Sequence, residues 1–276
     1  MSLVSLYFLI FLAVFTMVYY LLPGKVQWVW LLIAGLAFYA LCSYGLIIVP
    51  VIDAVIVYCF GKYFETKKRK LLMLIELILL FGILLLFKYA GRIGSGWSGF
   101  LTGFGFGQIT SYVVPIGLSY FTIMAVAYSV DVFRGTIQAE KNFAKLLLFL
   151  TFFPVMTQGP ILRYDEVSKQ LITYHKFSYQ NLTFGIQRIL WGFFKKLVIS
   201  ERLALVSMAI TEGWGKSSYT GIWVIASFFA FSFRLYMDFS GCIDIVIGTA
   251  EILGIRLPEN FNHSYMSKSI PEFWRR

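Results

Sequence analysis

The run GKYFETKKRKLLMLIELILLFGILLLF, Gly61 to Phe87, decides the class of fold. From Leu71 onward it is apolar apart from Glu76, and its length approaches the roughly 20 residues that carry a helix across a hydrocarbon core. Lys67, Lys68, Arg69 and Lys70 stand immediately before it and resist translocation, so this flank belongs on the cytoplasmic side and the span runs outward. Counting back from that anchor puts the N-terminus outside.

Toward the N-terminus, Trp28 to Phe60 is apolar nearly throughout and too long for one crossing. The break Ser43-Tyr44-Gly45 divides it into two short helices. Asp53 lies in the second; an ionisable group at that depth marks either a functional site or a structural pair, with Lys62 as its partner. Leu3 to Leu22, closed by Pro23-Gly24-Lys25, is a further span. It has no basic segment before it and no small-residue cleavage site after it, so it reads as a retained span and not as a signal peptide.

Toward the C-terminus the pattern is less regular. Lys88 to Gln108 carries seven glycines and reads as a loop; without a preceding strand or a Gly-Lys-Ser/Thr it does not support a phosphate cradle. Tyr112 to Val130 reads as a span kinked at Pro115-Ile116-Gly117, beside a polar cavity that satisfies the freed carbonyl. Phe143 to Gly159 is short, ends among Pro154, Gly159 and Pro160, and reads as broken or re-entrant. His175 falls in a polar loop and reads as solvated. Leu182 to Val206 is amphipathic and predicts a basic helix in the membrane interface, with Arg188, Lys195, Lys196 and Arg202 reaching for water. Tyr219 to Met237 and Phe239 to Leu253 read as two spans divided at Asp238-Phe239-Ser240-Gly241. The expected fold is all-α, a polytopic integral membrane helical bundle of about seven to nine membrane segments, some broken or re-entrant.

Composition agrees. The chain is 59% apolar and 14% charged, against roughly 25% charged in soluble domains. Its net charge of +10 sits in short clusters between apolar runs, where it meets lipid headgroups and fixes topology; no basic face joins a soluble module, which excludes nucleic acid as a partner. Cys42, Cys59 and Cys242 lie inside apolar segments and read as reduced, buried thiols.

The chemistry gathers near the C-terminus. Asp238, Asp244 and Glu251 surround a short helix beside Arg234 and Arg256. Acids in such a segment either close a bundle through salt bridges or line a polar reaction chamber. His263 follows in the loop Pro258-Glu259-Asn260-Phe261-Asn262-His263, where it is a general-base candidate or a hydrogen-bonded structural histidine. No metal site is expected, since no further ligands stand at suitable spacing.

Four stretches together carry a family resemblance: PIGLSYFTIMAVAYSVDVFRG from Pro115, FFPVMTQGPILRY from Phe152, DFSGCIDIVIG from Asp238 and LGIRLPENFNHSYMSKSIPEFWRR from Leu253. They resemble the membrane-bound O-acyltransferase family, in its bacterial branch of alginate O-acetyltransferase and teichoic acid D-alanyl transfer proteins, and the resemblance runs from Leu3 to Arg276. It implies a multi-span helical fold around a central tunnel. There an acyl group, acetyl foremost, passes from an acyl thioester or acyl carrier on the cytoplasmic side to a hydroxyl of an extracytoplasmic polysaccharide. It also implies a multi-pass protein of the bacterial inner membrane without a bound cofactor, whose partners are membrane lipid, an acyl-donor protein, extracytoplasmic acyltransfer partners and the polysaccharide acceptor.

The resemblance maps Gly159, Pro160, Arg163 and Tyr164 onto a motif near the core, and Asp238, Ser240, Asp244, Asn260, Asn262, Pro271, Phe273, Trp274 and Arg275 onto the run leading into the active site. All are cavity-lining or supporting positions and none is catalytic. In the family, the FWRR run continues into Trp-His, and a later helix carries the histidine held catalytic. Neither His175 nor His263 sits in those motifs. Residues 1–276 are therefore expected to form a single membrane-embedded domain, incomplete at its C-terminus and inactive alone, whether as a gene fragment or as half of a split enzyme. The alternative expectation is a non-catalytic membrane scaffold or transporter, whose intramembrane acids mark a path.

Overall fold

The computed structural model describes residues 3–43, 46–66, 69–93, 114–212 and 221–276. Among these, every regular element is helical: α1 (Leu6–Leu21), α2 (Gly24–Cys42), α3 (Ile48–Thr66), α4 (Lys70–Ile93), α5 (Leu118–Arg134), α6 (Phe143–Leu150), α7 (Phe153–Met156), α8 (Tyr164–Ile172), α9 (Tyr179–Phe193), a π-helical stretch (Phe194–Ser200), α10 (Glu201–Glu212), α11 (Gly221–Ile252) and α12 (Ile270–Arg275), with one 3-10 turn at Ser264–Met266. Three described helical segments are long and apolar enough to cross a membrane, Gly24–Cys42, Lys70–Tyr89 and Gly221–Ile252. The all-α membrane bundle expected from the sequence is the fold found.

The chain divides into two compact units. One comprises mainly Met17–Thr157 and Ile161–His175, the other Ser2–Thr16, Gln158–Pro160 and Lys176–Arg276, so the boundary passes through α1.

In the first unit α5 packs along α3 and α4. The predicted break in the long apolar run falls between Cys42 and Ile48, where α2 gives way to α3; Tyr44 and Gly45 lie outside the described residues, as do Lys67 and Lys68. Asp53 on α3 and Glu76 on α4 are both 0% exposed. Thr122 donates its hydroxyl to Asp53 Oδ2 at 3.1 Å, and Ser129 donates to Glu76 Oε1 at 2.6 Å. The expected Asp53–Lys62 pair does not form, because Lys62 Nζ sits 4.1 Å above the Tyr58 ring instead.

Four further expectations change in this unit. Pro115-Ile116-Gly117 does not kink a helix but precedes one: Gly117, at φ 71°, caps α5, and a Cβ there would overlap the Met156 carbonyl. Only glycine meets both the left-handed backbone and the close approach at no cost. The segment read as a loop from Lys88 begins as helix, since α4 continues to Ile93; the rest of that glycine-rich stretch lies outside the described residues. His175 is tied down: its backbone N–H donates to Gln27 Oε1 at 3.0 Å, and Gln27 Nε2, on a residue 1% exposed, donates to the carbonyls of Tyr19 and His175 at 3.2 Å. Cys59 is exposed, not buried. The broken segment after Phe143 is found as expected: Asn142 caps α6 by accepting from the Ala144 N–H at 2.9 Å, and α7 restarts at Phe153 with Pro154 in its first turn, where a missing N–H costs nothing.

In the second unit α9, the π stretch and α10 pack against α11. Sequence reading divided α11 at Asp238-Phe239-Ser240-Gly241. It is one helix of 32 residues, and that tetrapeptide lies inside it. The cause is tertiary. The Asp238 carboxylate meets Lys196 on the facing π stretch, so no break is needed to hydrate it.

Candidate functional site

Two pairs of glycines set the geometry of the second unit. Gly185 and Gly192 are seven apart on α9, Gly241 and Gly248 seven apart on α11, and this spacing keeps each pair on one helical face. The helices run antiparallel with Gly192 against Gly241 and Gly185 against Gly248: a Cβ at Gly192 would come 2.6 Å from the Gly241 carbonyl oxygen, and one at Gly185 2.6 Å from that of Gly248. Small residues let two backbones approach this closely.

The close approach brings cations of α9 and the π stretch onto carboxylates of α11. Arg188 Nε donates to Asp244 Oδ1 at 3.2 Å, Lys195 Nζ to Asp244 Oδ2 at 2.6 Å and Lys196 Nζ to Asp238 Oδ1 at 2.5 Å. The neighbouring lysines thus reach two acids six residues apart on the facing helix. Both lie in the π-helical stretch, a deviation from α geometry that recurs at functional sites. Arg188, Lys195 and Lys196 were expected to reach for water at the membrane interface; they turn inward because α11 offers carboxylates there. Arg234 and Arg256, the cations expected beside these acids, do not form these pairs, and Glu251 is outside the network.

Arg188 also closes the site. Its Nη1 and Nη2 donate to Glu259 Oε1 and Oε2 at 2.6 and 2.5 Å, a two-pronged contact that ties the loop after α11 back onto α9. The Arg188 fork holds the Glu259 carboxyl below its usual range by hydrogen bonding and charge, with burial opposing. A carboxyl whose folded pKa lies below its unfolded value, about 4.3, contributes stability above that pH and loses it as pH falls through the folded pKa. The difference in melting temperature between the protein and Glu259→Gln is therefore expected at neutral pH and to vanish in strong acid. Thermal unfolding scanned from pH 7 downward checks this; a difference that grows in acid would contradict it.

Aromatic contacts hang the same loop on α11. Phe261 meets Tyr236 and Phe239 edge-on with ring centroids 5.5 and 5.3 Å apart, and Tyr265 donates its hydroxyl to the Ser232 carbonyl at 2.9 Å. Ser269 then starts α12 by accepting from the Glu272 N–H at 3.3 Å while Glu272 Oε2 accepts from the Lys268 N–H, a variant of the capping box.

Between helix and loop lies a cavity of about 100 Å³, lined by Arg188, Lys195, Tyr236, Ser240, Ile243, Asp244, Glu259, Phe261 and His263. Ser240 is 2% exposed, and its Oγ has no hydrogen-bond partner among the described residues. His263 holds a left-handed backbone, φ 50°, at the exposed rim.

Of the positions singled out in the sequence, Ser240 and Asp244 line this cavity and Asp238 pairs beside it. Asn260 and Asn262 are exposed, the Asn262 N–H donating to the Arg276 carbonyl at 2.9 Å. Trp274 is 79% exposed, Arg275 is exposed too, and neither lines the cavity. Gly159 and Pro160 are buried in the second unit. Arg163 and Tyr164 belong to the first, where the Tyr164 hydroxyl donates to Glu140 Oε2 at 2.6 Å and fixes the turn before α6. Arg188, Lys195, Tyr236 and Glu259 were missed as site residues. Arg188 and Lys195 carry a legible signal, being seven apart and each three residues after a glycine of the close-packed pair.

Fold and site together define an all-α membrane protein with a charge-balanced cavity between two tightly packed helices. A model of the membrane-bound O-acyltransferase family matches residues 137–276, and the chain belongs to that family. It is 29% identical over 282 residues to a probable alginate O-acetylase of Azotobacter vinelandii, covering 99% of this chain and 55% of the relative. It is 28% identical to a peptidoglycan O-acetyltransferase of Helicobacter pylori, covering 90% and 52%. It is 30% identical to a teichoic acid D-alanyltransferase of Bacillus subtilis, covering 58% and 41%. The chain spans about half the length of these relatives.

Proposed function

We propose that these residues form part of an O-acyltransferase that moves an acyl group, acetyl foremost, from an acyl thioester or acyl carrier to hydroxyls of an extracytoplasmic polysaccharide. The protein is multi-pass in a bacterial inner membrane, and its partners are an acyl-donor protein and extracytoplasmic acyltransfer proteins. The observation that carries this reading is the cavity at Ser240 and Asp244, inside the family-matched region and closed by the Arg188–Glu259 contact. The names of the relatives support it, since all three transfer an acyl group to envelope polymers.

In acyl transfer a base takes the proton from the acceptor hydroxyl as its oxygen attacks the thioester carbonyl. On this reading neither histidine of the chain is that base. The His175 ring lies against the Gln170 carbonyl, Nε2 at 2.8 Å, and His263 stands at the rim, where no side chain among the described residues orients its ring. The ion-paired groups support and orient; the base comes from family sequence outside these 276 residues. The test is expression in a bacterium lacking its own envelope acetylase, with this chain alone, the C-terminal part of an alginate O-acetylase alone, and both together. Ester-bound acetate in the polysaccharide is expected only with both, and no gain with the pair would overturn the proposal.

A further inference from the structure

We propose that the cavity at Ser240 is a binding site for a short, neutral acyl group, whose carbonyl oxygen accepts hydrogen bonds from Ser240 Oγ and Lys195 Nζ. This rests on the acyl-transfer reading and names the part of the substrate this site takes.

Three observations lead there. The first is the surplus of donors. Lys195 carries three N–H donors and spends one on Asp244; Arg188 carries five and spends three on Asp244 and Glu259. The four carboxylate oxygens of Asp244 and Glu259 each already accept one of these bonds. With the buried Ser240 hydroxyl added, the walls hold unspent donors that a carbonyl oxygen can use. A buried polar group left unpaired is costly, so a partner for Ser240 adds affinity.

The second is charge. Arg188 and Lys195 are balanced by Asp244 and Glu259. An anion entering would face two carboxylates already holding both cations, whereas the oxygen of a neutral thioester or ester meets donors without adding charge.

The third is size. A cavity of about 100 Å³ takes a methyl and a carbonyl readily and fits an eight-carbon chain poorly. Ile243 and the rings of Tyr236 and Phe261 supply an apolar wall for the methyl group.

The experiment uses the whole chain in detergent with three probes: S-ethyl thioacetate, S-ethyl thiooctanoate, and acetate. Saturation-transfer NMR reads binding at the acyl methyl group, and titration gives Kd. The acetyl thioester is expected to bind while acetate and the octanoyl thioester do not compete. Ser240→Ala is expected to raise Kd about fivefold. Ser240→Cys, which keeps the volume but offers only a weak donor, is expected to do the same. Unchanged affinity in both variants, equal competition by the octanoyl probe, or preference for acetate would each overturn the proposal. Binding without ester gain in the paired expression test would keep this site and sink the transfer reading. Ester gain with binding indifferent to Ser240 would do the reverse.

Discussion

Gly192→Leu is expected to unfold the second unit, while Gly82→Ala in α4 leaves stability unchanged or raises it by up to about 1 kcal/mol, the gain of alanine over glycine in a helix. At Gly82 an added Cβ meets nothing within 4 Å. At Gly192 even the first added carbon would stand 2.6 Å from the Gly241 carbonyl oxygen and 2.7 Å from Ile245 Cγ1. Backbone cannot yield as a flexible side chain does, so α9 and α11 must separate. Separation pulls Arg188, Lys195 and Lys196 off their carboxylates together, which carries the loss beyond the about 1–3 kcal/mol of ordinary overpacking. Gly192→Ala is expected to cost a substantial part of the same loss. Helical circular dichroism through a detergent titration reads both variants; a Gly192→Leu protein as stable as the parent would refute the close-packed interface.

Asp244→Leu is expected to cost about 3 kcal/mol, because it leaves Lys195 charged and largely buried without its partner. The Lys195 side chain is 17% exposed and that of Asp244 11%, so solvent screens the pair poorly. Adding Lys195→Met is expected to restore most of the loss, since a buried ion pair replaced on both sides by apolar groups is often neutral. The double-mutant cycle, read from the same unfolding titration, separates this coupling from simple loss of packing. If the double variant is no better than Asp244→Leu alone, the charge of Lys195 is not what the aspartate compensates.

The sequence made the class of fold legible because apolar length and basic flanks act locally: Lys67 to Lys70 and the run after Leu71 need no knowledge of neighbours. The break between α2 and α3 and the interruption after α6 were legible for the same reason. What it hid depends on partners distant in sequence. Arg188 and Glu259 are 71 residues apart and Lys196 and Asp238 42 apart, so a basic helix destined for an internal network resembles one destined for lipid headgroups. Asp238 to Gly241 resembled a helix break for the converse reason, the charge of Asp238 being answered by Lys196 across the interface. Pro115 suggested a kink because a proline shows where a helix cannot run through, not on which side of it the helix lies. At the site, Asp244 was legible as an acid in an apolar segment and Ser240 by resemblance, while the loop closure through Glu259 was not.

Asp53 and Glu76, two buried acids of the first unit, act together on the helix between them. Thr122 and Ser129, seven residues apart on α5, each satisfy an acid on a different neighbour, Asp53 on α3 and Glu76 on α4. Turning α5 by one residue, about 100°, would take both hydroxyls away at once and leave two carboxyl groups with no donor in an apolar interior. The pairs therefore work as a two-toothed key: apolar surfaces alone would let α5 settle in several rotations against α3 and α4, and only one of them admits both teeth.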